Sequence, residues 1–585
     1  MSNLIKPVLV VDSRLNIKPT IDFAVYQGGQ NVSQQQFSAT TFNSSSHNYV
    51  IQVPSTTVVT DRRVLWQSTV EFTITGIPIA GSYLVNYGTT DSFAPFPLHQ
   101  LCNTINAQIN NTSVSVNMQD CLPGILRCMD KESLSKYSNT TPVYLDTYRD
   151  ASPDQIGYVN NPNGNYTNIA SNSSYYPRGA FAVNFIKGNT IQATGGTDTK
   201  TVVINATFTE PLMLSPFVYG DSDNEAGFFG ITQLQLVMNI DSSMKRMWRS
   251  CAAPLAVPAV LSKLSFENSA LLVNFLTPKP SNLISEVSVL PILEIDRYIS
   301  QNNADVAAYD VTKVDANGQV LVPTVTLNST NFQLGRIPDS IVIFVRDNMG
   351  TQNMNSPDSF LSIRSITINW NNANGLLSNA SQQQLYEYSV ESGVNMSWVE
   401  WSGLANVGLP APLSQVGTTG SVLMLKMAQH IPLSEQYYSP SSLGAFNLQF
   451  NVTCANYSTA AKSKPELVLL CVNSGVFSTI NGQSMVNYGV LSKQSVMDVV
   501  NTTPISHVSI ERLIGGKKGL FSNVKSNMAN HKFLKHLFNK NKGGASSGGA
   551  ISGGAISGGN DMSELMGSAI SGGRRKANAM TRYIK

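Results

Sequence analysis

The chain has 585 residues, of which 13% are charged and 42% apolar, with a formal net charge of +3; that length implies two or three domains. The six cysteines form no CxxC pair and there are only six histidines, which argues against a zinc or redox protein and favours buried thiols. No apolar run approaches the roughly eighteen residues of a membrane helix, and the N-terminal MSNLIKPVLVVDSRL is too short in apolar residues for a signal peptide, so the expectation is a protein that is not secreted, with sequons at Asn31, Asn139, Asn205 and Asn451 that follow from composition.

Along the chain the dominant pattern has period two. TVEFTIT places Val70, Phe72 and Ile74 on one face, and NTINAQIN (103–110) reads as the next strand. Residues 122–137 predict a helix with Ile125, Leu126, Met129 and Leu134 on one side. The segment 139–200, which contains the Asn-, Ser- and Tyr-rich NNPNGNYTNIASNSSYYPRG, predicts a long surface insertion. A strand follows in TQLQLVMNI, with Leu234, Leu236, Met238 and Ile240 alternating with polar residues. The prolines of CAAPLAVPAV (251–260) suggest a short linker. Beyond it, IVIFV (341–345) and LVLLCV (467–472) are apolar throughout and predict central strands. SITINW (365–370) and AFNLQFNVTC (445–454) alternate. Between those two, residues 381–392 predict a helix with Ser381 as N-cap and Gly393 as stop.

The order of elements repeats. NTINAQIN followed by a helix matches SITINWNN followed by a helix; PLMLSPFVYGDSDNEAGFFGITQLQLVMNI (211–240) matches IPLSEQYYSPSSLGAFNLQFNV (431–452). Many strands, few helices and a duplicated order predict an all-β chain of sandwiches.

After Gly516 the character changes. Residues 517–585 carry twelve Lys and Arg against Asp561 and Glu564, a net of +10 that leaves −7 on the first 516 residues. The segment 519–538 reads as a basic amphipathic helix with Lys525, Lys532 and Lys535 among Leu, Val and Phe. A Gly/Ser-rich stretch (543–560) and a basic end with Arg574, Arg575 and Lys576 close the chain. Such a tail suits an anionic partner, either nucleic acid or a membrane surface. The motif "large aliphatic, any residue, Gly, Gly" occurs four times: Leu513 to Gly515 and Gly516, before Lys517; Ile551 to Gly553 and Gly554; Ile556 to Gly558 and Gly559; Ile570 to Gly572 and Gly573.

Catalytic signatures are missing. DSDNEAG (221–227) has carboxylates at Asp221, Asp223 and Glu225 but lacks the later Gly and Glu of a calcium loop. GGKKG (515–519) lacks phosphate-loop spacing, and His99 and His430 stand isolated in sequence. No cofactor, metal or catalytic residue is assigned.

VVDSRL (10–15), VYQGGQNVSQQQFSATTFNSSS (25–46), DRRVLW (61–66) and PLHQLCNTINAQIN (97–110) resemble the double jelly-roll major capsid proteins of virophages and polinton-like viruses, relatives of adenoviruses with double-stranded DNA. The resemblance implies two consecutive eight-stranded jelly rolls, residues 1–250 (with the insertion facing outward) and 251–510, followed by the tail 517–585. It implies a homotrimer with a pseudo-hexameric outline that tiles an icosahedral virion, assembled in the host cytoplasm or nucleus, and contacts with neighbouring capsomers and penton or minor capsid proteins. It also implies a viral cysteine protease that cuts after aliphatic-x-Gly-Gly, so the four motifs are candidate processing sites. Lys525, Lys532, Lys535, Arg574, Arg575 and Lys576 are the candidate contacts to viral DNA or an anionic membrane. A β-sandwich attachment or carbohydrate-binding protein is the competing reading, and a glycan-active enzyme a third.

Overall fold

The computed structural model describes residues 29–150, 162–164, 176–188, 198–218, 226–251, 255–278, 285, 287–302, 305–406, 415–433, 438–460, 464–480, 482–489 and 491–502. Two sandwiches of antiparallel strands account for most of them. The first comprises β1 (Gly29–Ser38), β2 (Ser46–Gln52), β3 (Leu65–Ile77), β4 (Cys102–Ile109), β5 (Thr112–Val116), β6 (Lys200–Pro211), β7 (Gln233–Ile240) and β8 (Val257–Pro278). Its sheets run β1-β8-β3-β6 and β2-β7-β4-β5. The second comprises β9 (Val287–Gln301), an interrupted strand β10 (Thr324–Asn328) and β11 (Phe332–Arg336), then β12 (Ser340–Asp347), β13 (Ser362–Trp370), β14 (Ala373–Leu376), β15 (Leu423–Lys426), β16 (Leu443–Ala455) and β17 (Pro465–Ile480). Its sheets run β9-β17-β12-β15 and β10/β11-β16-β13-β14.

Counting the interrupted strand once, both halves have the same neighbour order: first, eighth, third, sixth in one sheet; second, seventh, fourth, fifth in the other. This is the jelly-roll arrangement, present twice. The sequence pairs noted above fall at equal places. NTINAQIN and SITINWNN are both fourth strands; TQLQLVMNI and AFNLQFNVTC are both seventh. Their alternation is explained by the sandwich: Leu234, Leu236, Met238 and Ile240 are buried, as are Phe446, Leu448, Phe450, Val452 and Cys454.

In both halves the fifth strand leads into a helix. In the second it is α4 (Gln382–Ser392), where Ser381 and Gln384 form a reciprocal capping box and Gly393 ends the helix at φ 118°. The first half departs from expectation. Instead of one helix over 122–137 there are two, α2 (Met118–Cys128) and α3 (Lys131–Ser135). Asn117 caps the first, accepting the Asp120 N–H; Asp130 caps the second, accepting the Ser133 N–H. The aspartate read as helix interior is therefore a new start.

Two further expectations are corrected. The boundary at 250 cuts off β8, which pairs with both β1 and β3 and is the eighth strand of the first sandwich. Pro258 does not break it, because the register shifts between Val257 and Val260 at that point. The 139–200 insertion is not all surface: Thr141, Val143, Asp146, Arg149, Asn163, Arg178 and Phe181 are buried.

The two sandwiches stand side by side with like ends together. The connections after β3, β5 and β7 gather at one end, where Asp241 N–H donates to the Leu101 carbonyl at 2.7 Å and Ala94 N–H to the Met247 carbonyl at 2.7 Å. At the other end the β4–β5 turn meets residues before β7, with Thr232 N–H on Asn110 Oδ1 at 2.8 Å. After β17 the chain forms β18 (Gln483–Tyr488) on β17, and Ser484 N–H donates to Asn111 Oδ1 of the first sandwich at 2.7 Å. The last described helix, α6 (Lys493–Thr502), follows that short-turn end.

Candidate functional site: the charged seam between the two sandwiches

The long-loop ends of the two sandwiches meet over a belt of buried ions. In a chain with so few charges this is where they concentrate. Asp146, from the insertion, is the hub. Its carboxylate receives Arg178 Nη2 at 2.9 Å and Arg249 Nε at 3.1 Å, both from the first half, and the backbone N–H of Asp358 from the second half at 2.9 Å. Arg249 Nη2 also lies 3.2 Å from Asp358 Oδ1, and Gln100 Nε2 donates to Asp358 Oδ2 at 2.9 Å. Burial alone would push the Asp146 carboxyl up, but the Arg178 and Arg249 guanidiniums overcome it and hold the group well below the usual carboxylate range.

Two more clusters extend the belt. Arg149 forks onto Asp347 with Nη1 and Nη2 at 3.1 and 3.2 Å, and Nη1 also donates to Ser359 Oγ at 2.9 Å. Gly417 lies beside it; a Cβ there would come within 2.6 Å of the Tyr457 carbonyl oxygen and 3.0 Å of Arg149 Cβ, so only glycine fits this approach. Arg346 of β12 binds Glu466 through Nε at 2.7 Å and Asp120 of α2 through Nη2, and Arg297 of β9 binds Asp120 as well.

One backbone feature ties α2 into this cluster. Pro123 sits inside the helix and has no N–H, so the carbonyl of Gln119 loses its helical donor. Arg246 Nη1 takes that place at 2.9 Å, and Arg346 Nη1 approaches at 3.4 Å from the other half. The helix defect is thus an acceptor for two guanidiniums, one from each sandwich. Burial pushes Arg246 down to about 10, which leaves it charged at neutral pH.

At the rim, Lys131 of α3 and Glu400 of α5 (Trp398–Ser402) pair at 3.3 Å. They border a cleft of about 310 Å³ that is also lined by Leu134, Val143, Tyr148 and Val399.

The belt offers anchoring rather than reaction chemistry. The six cysteines are buried and free; burial pushes the thiols of Cys121, Cys128 and Cys251 up to about 12. His99, isolated in sequence, is paired in space: its Nδ1 lies 2.5 Å from Glu210 Oε2, and Glu210 also accepts the N–H groups of Leu98 and His99 at the start of α1 (Pro97–Leu101). Both side chains are fully buried, and Thr141 Oγ1 donates to Glu210 Oε1 at 2.9 Å. His430 stacks on Tyr388 at 4.7 Å. Among the described residues no group of three or more His, Cys, Asp or Glu could hold a metal.

The processing motifs at Leu513–Gly516, Ile551–Gly554, Ile556–Gly559 and Ile570–Gly573, the tail cations, and Asp221, Asp223 and Glu225 lie outside the described residues. The seam arginines were not anticipated from sequence; their one signal is that KRMWRS (245–250) and YRD (148–150) are dense in charge for this chain.

Comparison with known proteins gives one consistent set. Residues 4–276 match the family model described as Sputnik virophage major capsid protein 1st domain, and residues 295–475 match the model of the major capsid protein V20 C-terminal domain. The putative capsid protein V20 of Sputnik virophage is 27% identical over 545 residues, 90% of this chain and 87% of that protein. The cryo-EM structure of the Sputnik virophage superposes with a TM-score of 0.76 at 27% identity, covering 88% of this chain and 99% of that one. The crystal structure of the mavirus major capsid protein superposes with a TM-score of 0.69 at 15% identity, covering 86% and 99%.

Proposed function

We propose, from the premise that the chain belongs to the double jelly-roll major capsid proteins of virophages, that three copies close into a ring and that such rings tile an icosahedral shell. The chain is a structural protein of the virion and not an enzyme. The observation that carries the trimer is the repeated topology: two upright sandwiches of equal strand order, welded at one end by Asp146, Arg149 and Arg346 and stapled at the other by Ser484. Three such pairs in a closed ring give six similar sandwiches around one axis, a pseudo-hexagonal tile. A rigid seam suits this role, because a hinge between the sandwiches would blur the tile's outline.

The tail is read as an assembly segment. Its +10 charge, on a chain whose remainder is −7, would hold the subunit to viral DNA, an anionic membrane or a minor capsid protein while the shell forms. A viral cysteine protease would then cut after Gly516 and remove the basic segment. The glycines lack Cβ atoms and let the backbone lie deep in a narrow protease groove, with Leu513 as anchor.

Intact-mass spectrometry of the protein from purified particles tests the processing. A mass ending at Gly516 supports it; a mass running to Lys585 refutes it and makes the tail a lasting part of the particle. Sedimentation of the purified full chain tests the ring, with a trimer expected and a monomer at all concentrations overturning it.

A further inference from the structure

The outermost strands of the two equivalent sheets differ in composition and in what lies beside them. β9, in the second sandwich, carries Pro291, Glu294, Asp296 and Arg297 within fifteen residues. Arg336 pairs with both Glu294 and Asp296 beside it. The side of β9 away from β17 is taken by the first sandwich: the Leu293 N–H donates to Ser215 Oγ at 2.9 Å and Arg297 pairs with Asp120. β1, at the same place in the first sandwich, is GQNVSQQQFS. It has no proline and no charge over ten residues, and its one irregularity of register is at its start, between Gly29 and Asn31. Among the described residues its one strand partner is β8, and they leave its other edge unpaired.

The lack of charge extends past the strand. From Phe23 to Thr60 the sequence has no Asp, Glu, Lys or Arg. Three large apolar side chains stand out along this stretch: Val32 is 58% exposed, Phe42 40% and Val50 37%. Phe42 belongs to the short strand Thr41–Phe42 that borders β2 in the facing sheet, so the edges of both sheets at this side of the sandwich are uncharged. The first 516 residues carry −7, and two such bodies repel each other except where charge is missing.

We propose that the unpaired edge of β1, with Val32, Phe42 and Val50 around it, is a surface on which a second copy of this chain docks, adding a strand to the β1-β8-β3-β6 sheet. Backbone N–H and C=O groups supply the contact and the uncharged faces permit it. The β9 edge, which lies against the first sandwich, does not serve this way. Contacts between copies through the two sandwiches are then unequal, with one sandwich offering a strand edge and the other refusing it. This inference rests on the reading of the chain as a shell subunit.

The test is sedimentation of the full chain carrying Gln34→Glu and Gln36→Glu together. Both side chains are exposed, and the change keeps their shape while placing negative charge on the edge of an acidic partner. Thermal unfolding of the variant is expected to match the wild type. Self-association is expected to need at least about tenfold more protein at 0.15 M salt and to recover in about 1 M salt, where screening is nearly complete. Gln449→Glu, exposed on β16, serves as control and is expected to associate as wild type. A wild-type chain that stays monomeric defeats the shell reading and this inference with it. Association of the double variant at wild-type concentrations, or equal impairment by the control, defeats the inference alone; the first of these outcomes fits an edge covered by the chain's own residues 1–28.

Discussion

The two sandwiches share a strand order and differ in what hangs from it. In the first, the connection from β5 to β6 spans residues 117–199 and supplies Asp120, Arg127, Asp146, Arg149 and Arg178 to the seam. In the second, the connection from β14 to β15 spans 377–422 and supplies one carboxylate, Glu400, beside neutral contacts from Asn395, Gly417 and Thr419; the carboxylates Asp347, Asp358 and Glu466 come from strands or short loops. One half brings most of the cations and the other most of the matching anions. The difference teaches that a repeated scaffold sets where surfaces lie, whereas the loops decide which surfaces recognise each other. The halves are alike in topology and complementary in charge.

The strongest way to break this complementarity is at the hub. Asp146→Ala leaves Arg178 buried without its carboxylate and Arg249 with Asp358 alone, a loss of about 3–5 kcal/mol. Urea unfolding is expected to show a lower midpoint and two transitions in place of one, as the sandwiches separate; one transition within about 1 kcal/mol of wild type would show that the seam does not couple them. A second contrast is in pH. Burial lowers His47 of the first sandwich to about 4, and burial also lowers His430 of the second. An unfolded histidine takes up its proton near pH 6.5, so the unfolded state gains protons first as pH falls. Stability is therefore full above pH 6.5 and declines toward pH 4, by up to about 3 kcal/mol for His47. His47→Gln should flatten this slope in melts recorded from pH 7 to 4, more than His430→Gln does; equal slopes in wild type and His47→Gln would exclude the assignment.

Smaller effects sharpen the comparison between equivalent helices. Ser381→Ala and Asn117→Ala each remove the N-cap of the helix that follows the fifth strand, at about 1 kcal/mol apiece by denaturant midpoint. The least is expected at the rim, where Lys131→Ala costs under about 1 kcal/mol because its partner Glu400 is reached across partly exposed surface.

Much of the scaffold was readable from the chain because alternation needs only neighbours. TQLQLVMNI, SITINW and AFNLQFNVTC declare a wet and a dry face within a few residues, and Ser381 with Gly393 brackets a helix locally. The seam was not readable because its partners are far apart. Arg149 meets Asp347 and Arg346 meets Asp120 across 198 and 226 positions, and an arginine in sequence is ordinarily a surface residue. The polar composition of the insertion predicts exposure, yet Asn163 and Arg178 are buried with partners that only the fold brings near. At β8, Pro254 and Pro258 suggested a linker; the strand tolerates Pro258 by shifting register, which depends on its partner β3.

The proline in α2 has a consequence for how this molecule can change over time. By subtracting one hydrogen, Pro123 turns an ordinary helical carbonyl into a socket, and Arg246 and Arg346 fill it from different parts of the chain. Restoring a donor at 123 would return that carbonyl to its helix and evict both guests, while losing either guest would leave the socket half empty. The three positions therefore form an inherited unit: drift at one is tolerated only with drift at the others, and among related chains residues 123, 246 and 346 should vary together or not at all.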